Sequence, residues 1–165
     1  MLSIAFRGLV IGLLATVLID VWALVLKHLL KLPTTNWAMV GRWVGHLPEG
    51  RFVHRKIADA TPVAGEAPLG WATHYAIGLV YGVGYLWLMR DVVAQPPGLV
   101  SAIAFSVVLL AAPWFVLLPG IGAGILARRA PKPWLMRAIN VSVHVVFGVG
   151  LYAGWWLLDQ IAPVG

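Results

Sequence analysis

Apolar residues dominate four stretches of this chain, 3–32, 69–90, 98–118 and 135–161, and polar residues gather in the connections and at a few isolated positions inside the stretches. A helix rises about 1.5 Å per residue, so about 20 residues cross a hydrocarbon core of about 30 Å, and each stretch reaches that length. The pattern predicts an all-α fold, an integral membrane four-helix bundle forming one domain over residues 1–165. The longest connection, 33–68, is too short and too polar to bury a core of its own. Its mixture of aromatic and basic residues predicts an interfacial amphipathic loop between spans one and two. Arg7 ahead of an apolar run has the look of a signal peptide. The run continues to Leu30 with Asp20 inside it and no small-x-small cleavage pattern after it, so the first span is expected to stay attached.

Composition agrees with a bilayer as solvent. Only 11% of residues are charged, against about a quarter in soluble domains, and mean hydropathy is +0.88. The net charge of +6 comes from lysines and arginines at span ends, which suits orientation and contact with anionic lipid. No contiguous basic face exists for nucleic acid. Lys27, Lys31, Arg42, Arg51, Arg55 and Lys56 flank the first connection, and Arg128, Arg129, Lys132 and Arg137 the third; Arg7 and Arg90 lie on the opposite side. The positive-inside rule then places loops one and three in the cytoplasm and both termini outside. The absence of cysteine excludes disulfides, thiolate metal sites and a cysteine nucleophile.

Against this background the polar residues inside spans stand out. Span one carries Leu13, Thr16, Val17, Asp20, Leu24 and Lys27 at helical spacing, and a lone carboxylate at mid-membrane costs at least about 2.5 kcal/mol. Asp20 is therefore expected to face the bundle, carry a proton or have a partner. Pro33 is expected to end the helix. In the loop, Trp37, Arg42, Trp43, His46 and His54 suit the headgroup layer, and the segment 37–56 is expected to lie on the cytoplasmic face and gate access to the bundle. His46 and His54 are two helical turns apart, yet Pro48 and Gly50 between them spoil a one-helix ligand pair.

Span two places Gly70, His74, Gly78 and Gly82 at successive fours, which predicts close approach of another helix on the histidine's own face. Tyr81 and Tyr85 continue that side. Pro113 predicts a kink in span three. The glycine-rich run after Pro119 is a tight turn or a re-entrant piece, and it lacks the lysine of a phosphate-binding loop. Span four repeats the pattern of span two with Asn140, His144, Gly148 and Tyr152. Spans one and three both open with Gly-Leu-Val and close near Leu-Pro, so the chain reads as two copies of a two-span unit, the second with a shortened loop.

The runs GRWVGHLPEGRFVH, TPVAGEAPLGWATHYAIG, APKPW and HVVFGVGLY resemble the bacterial multi-pass inner-membrane proteins grouped as domain of unknown function 2938. The resemblance covers nearly the whole chain. It implies a small four-span protein of a bacterial inner membrane and brings no assigned activity.

Depth counted along each helix places His74 and His144 about 6 and 10 Å into the membrane and Asp20 about 16 Å from the same side. The three are expected to meet in one cluster, with Glu66 closing its mouth. Such a cluster suits several chemistries. A divalent transition metal finds imidazole and carboxylate ligands in His74, His144, Asp20 and Glu66, with Asn140, Tyr81 and Thr16 around them. A proton relay or proton-coupled carrier uses the same groups. Haem b suits His74 and His144 on facing helices, with Gly78 and Gly148 making room for the ring. Hydrogen bonding that only fixes helix packing is the remaining reading. No Ser-x-Gly elbow, HExxH motif or close carboxylate pair points to an ordinary enzyme. Four spans make a narrow pore, so transport would require a homo-oligomer.

Overall fold

Ser3 caps the first helix, α1 (Ile4–His28), its hydroxyl accepting the Phe6 amide at 3.2 Å. The computed structural model describes residues 3–162, and among these it is helical and without strands. Helix α1 stops four residues short of the apolar run's end. Lys31 adopts a left-handed backbone with φ 54°, and the Leu32 amide turns back to the Leu26 carbonyl at 2.9 Å. This agrees with the restriction that Pro33 places on the residue before it. A short helix, α2 (Trp37–His46), follows, capped by the Asn36 side chain on the Ala38 amide.

Helix α3 (Glu66–Trp87) begins three residues before its apolar run, because Pro68 falls in a first turn that tolerates proline. It continues as a wider π-helical turn, Leu88–Val93, and closes at Ala94 with φ 54°. Helix α4 (Leu99–Val108) stops short of Pro113, and where a kink is expected the chain forms a second π-helical turn over Pro113–Leu117. The glycine-rich run forms turns, with Gly122 and Gly124 at φ 96° and 76° and a short 3-10 turn at Ile125–Ala127. Helix α5 (Pro133–Ile161) opens on proline, whose fixed φ suits a first position.

Four helical stretches, Ile4–His28, Glu66–Val93, Leu99–Gly120 and Pro133–Ile161, are long and apolar enough to cross a membrane. At most 28% of the most apolar window of each is buried, so most of the hydrocarbon faces outward, as a lipid solvent favours. The extreme termini, whose side of the membrane the charge pattern predicts, lie outside the described residues.

The chain folds as two compact units. The first comprises Met1–Pro33, Tyr75–Val108 and Val143–Gly165. Its core gathers Ile11, Ala15, Tyr85, Leu86, Met89, Ala102, Phe147 and Leu151. Glycine contacts set its helix crossings: Gly78 and Gly82 of α3 lie against Thr16, Gly12 and Gly8 of α1, and a methyl on either would overlap that backbone or the Thr16 hydroxyl. Gly148 of α5 packs on Ile103 of α4 in the same manner, so the matching glycines of the two histidine helices each seat on the span that precedes them. The packed face of α1 runs through Arg7, Gly8, Ile11, Gly12, Ala15 and Thr16. Leu13, Val17 and Leu24, aligned with Asp20 by spacing alone, are instead 44 to 57% exposed.

The second unit comprises Thr34–His74 and Leu109–Ser142. Within it α2 crosses the first turns of α3 at Gly41 and Gly70, each of which faces a carbonyl of the other helix. The segment after α2 pairs with the glycine-rich turn through His54 N–H to Gly120 O at 2.8 Å and Ile57 N–H to Ile121 O at 3.1 Å. Loops one and three, separate in sequence, thus close on one another. Trp43 seals that closure, donating its indole N–H to Phe52 O at 2.9 Å while Gly120 lies against its ring.

Candidate functional site

In the first unit, the Tyr75 hydroxyl of α3 donates to Asp20 Oδ2 of α1 at 2.7 Å. Helical spacing along α1 turns Asp20 to the side where the glycines of both helices let them meet, and Tyr75 stands one turn before Gly78. Thr16, one turn before Asp20, is buried and gives its hydroxyl hydrogen back to the Gly12 carbonyl at 2.7 Å, next to Gly78. A donor on the carboxylate and an internally satisfied hydroxyl beside it make this the polar locus of an otherwise apolar packing face. His144 also belongs to this unit. Its main-chain carbonyl accepts the buried Ser106 hydroxyl at 2.6 Å, which ties α5 to α4 at the histidine. Tyr81 packs edge-on against Phe147, with ring centroids 6.3 Å apart.

The second unit holds His74, Glu66, Asn140 and the five loop residues. His74 is buried, stacked on Trp37 with ring centroids 4.0 Å apart and meeting the edge of Trp71 at 5.7 Å. The inward placement expected from its glycine neighbours holds, and the partner helix on this side is α2. Glu66, expected at the mouth of a shared site, is clasped by Arg42. Nε and Nη2 reach Oε2 and Oε1, each at 2.8 Å, as a two-pronged fork. The Val63 amide adds a third donor at 3.2 Å. Arg42 Nη1 spreads over the carbonyls of Ile57, Ala58 and Ala60 at 3.4, 3.1 and 3.1 Å. The carboxylate raises the Arg42 pKa further above its ordinary value, chiefly through the hydrogen bonds it accepts. Glu66 sits in the first turn of α3, where the helix dipole also favours a negative charge. This clamp fastens α2, the 57–60 turn and the start of α3.

His46 and His54 come together despite the proline and glycine between them, with ring centroids 5.2 Å apart. The turn after α2 reverses the chain, so the spacing argument that separated them does not apply. His46 is buried, with Nε2 at 3.0 Å from Thr61 O and Nδ1 at 3.4 Å from Glu49. His54 holds Gly120 O through Nδ1 at 3.3 Å. Among the described residues no group of three or more His, Asp or Glu side chains gathers closely enough to hold a metal ion.

A family model described as a protein of unknown function (DUF2938) matches residues 9–158. The chain belongs to this family. The match takes in Asp20, Tyr75, His74, His144, Glu66 and Arg42, so every residue of the two polar centres lies in the family's shared region. No curated protein and no solved structure matches the chain. What the centres do therefore rests on their own geometry. Sequence reasoning singled out Asp20 and missed Tyr75, although an intramembrane carboxylate calls for a donor. It passed over Arg42 as a partner for Glu66, because they lie 24 positions apart with the end of α2 and a run of turns between them, and nothing local links the two.

Proposed function

We propose that this is a small multi-pass protein of a bacterial inner membrane whose Asp20–Tyr75 pair takes up and passes a proton within the membrane, as a relay or as the coupling site of a proton-linked carrier. The observation that carries this reading is the 2.7 Å hydrogen bond between Tyr75 Oη and Asp20 Oδ2 on helices able to span the bilayer. Ionisable groups at membrane depth are costly and mark ion or proton pathways more often than packing. A proton moves between groups only within hydrogen-bond reach, and this pair meets that condition. His74 precedes Tyr75 on α3 and His144 lies on α5; both belong to the residue type that changes charge near neutrality. We place loops one and three in the cytoplasm, following the distribution of lysine and arginine. The transition-metal reading of the same residues has no three-ligand group among the described residues behind it, and the proton reading takes its place.

The test is proton flux in liposomes that hold the purified protein and a trapped pH-sensitive dye, driven by an imposed potassium diffusion potential. Wild type is expected to acidify the lumen faster than empty liposomes, Asp20→Asn to abolish the difference and Tyr75→Phe to slow it at least tenfold. Equal flux in wild type and Asp20→Asn, with both proteins monodisperse, would remove the proposal.

A further inference from the structure

At the end of the first unit where α1 begins, a cleft of about 680 Å³ opens between the first turns of α1, the π-helical end of α3 and the last turns of α5. Ile4, Leu86, Met89 and Trp155 give it apolar walls, and Arg7, Arg90 and Asp159 also line it. Arg7 is the unusual member. It is only 6% exposed, and its Nη1 is enclosed with no hydrogen-bond partner among the described residues. A buried guanidinium nitrogen left unbonded costs about 1 to 3 kcal/mol, more for a charged group. The arginine also lies in the first turn of α1, where the helix dipole opposes a cation and favours an anion. Arg90 does not share the deficit, because Asp91 holds its Nε and Nη2 at 2.8 and 2.9 Å.

From this we infer that the cleft binds a ligand carrying a phosphodiester, seated on Arg7, with its apolar part along Ile4, Leu86, Met89 and Trp155. Arginine's fork matches two phosphate oxygens, and a turn of the Arg7 guanidinium toward the cleft it lines brings the enclosed Nη1 onto one of them. Asp159 on the same lining favours a single negative charge over two, which selects a diester over a monoester. The wide turn at Leu88–Val93 carries Met89 and Arg90 into the lining, and π-helical turns of this kind recur at functional sites. A phospholipid and a soluble phosphodiester share this chemistry. The apolar walls suit the acyl chain of the first.

The test begins with full-length protein washed extensively in mild detergent, then incubated with phosphatidylglycerol micelles and assayed for bound phosphorus. Dimethyl phosphate serves as the soluble competitor. Wild type is expected to retain about one phospholipid per chain, Arg7→Gln at least tenfold less, and Ile4→Trp, which fills the cleft and keeps the charge, similarly little. Retention that millimolar dimethyl phosphate leaves untouched assigns the site to lipid, and displacement by it assigns the site to a soluble diester. Should Arg7→Gln fail to fold, Ile4→Trp decides. Phospholipid retained equally by wild type and the variants that fold overturns the inference.

Discussion

Tyr75 and Asp20 are 55 residues apart in sequence and 2.7 Å apart in space, the hydroxyl of one helix bonded to the carboxylate of another. The bond separates two roles experimentally. Side-chain hydrogen bonds inside membranes average about 0.6 kcal/mol in stability, so Tyr75→Phe is expected to cost about 1 kcal/mol or less. Asp20→Asn keeps an acceptor oxygen and is expected to unfold like wild type while losing proton flux. Loss of flux only in proportion to loss of folded protein would assign the pair to packing alone.

The Arg42–Glu66 fork predicts a strict requirement for guanidinium. Arg42→Lys retains the charge and cannot serve both carboxylate oxygens and the three carbonyls of the 57–60 turn. Thermal unfolding in detergent is expected several degrees lower for Arg42→Lys, and lower again for Arg42→Gln. A lysine variant that melts with wild type would show that charge alone suffices.

Glycine substitutions should split by what surrounds them. A methyl at Gly41 or Gly70 meets a carbonyl of the facing helix, which cannot yield without moving backbone. Gly41→Ala and Gly70→Ala are expected to destabilise by about 1 to 3 kcal/mol, the range of overpacked cores. At Gly84 the nearest atom to an added methyl is the Phe105 ring at 4.0 Å. There the helix gains from alanine, by about 0.5 to 1 kcal/mol. Denaturation of the three variants checks the order, and a Gly84→Ala protein as damaged as the other two would contradict it.

Proteolysis reads the second unit directly. Arg42 is buried in its clamp, whereas Arg51 is 60% exposed beside exposed Phe52 and Val53. Trypsin added to inside-out vesicles is expected to cut after Arg51 at least tenfold faster than after Arg42. Cleavage at Arg42 first would mean that α2 is not docked in the membrane-bound protein.

The charge pattern predicts an orientation, because ten basic residues flank loops one and three and only Arg7 and Arg90 lie at the other span ends. A periplasmically active reporter fused at the C-terminus is expected to work and a cytoplasmic one to fail. The opposite result would put loops one and three outside.

The chain's own residues determined much of this protein. Four helices long and apolar enough to cross a membrane, the disturbed helix at Pro113 and the close packing at Gly78, Gly82 and Gly148 were legible, because hydrocarbon thickness, a missing amide hydrogen and a missing side chain act locally. Local pattern also exposed Asp20 and His74 as polar groups out of place. It did not supply their neighbours. Spacing put Asp20 on a face with Leu13, Thr16 and Val17; Thr16 does lie on the packed face with Gly8 and Gly12, where α3 brings Tyr75, whereas Leu13 and Val17 turn outward. Spacing also kept His46 and His54 apart until the turn after α2 reversed the chain. Tertiary structure alone decided that Glu66 belongs to Arg42, that loop one closes on loop three and that Arg7 is enclosed beside a cleft. Each of these depends on how helices rotate about their axes and where turns fold back. Those outcomes reflect many weak contacts between residues far apart in sequence, and no local pattern records them.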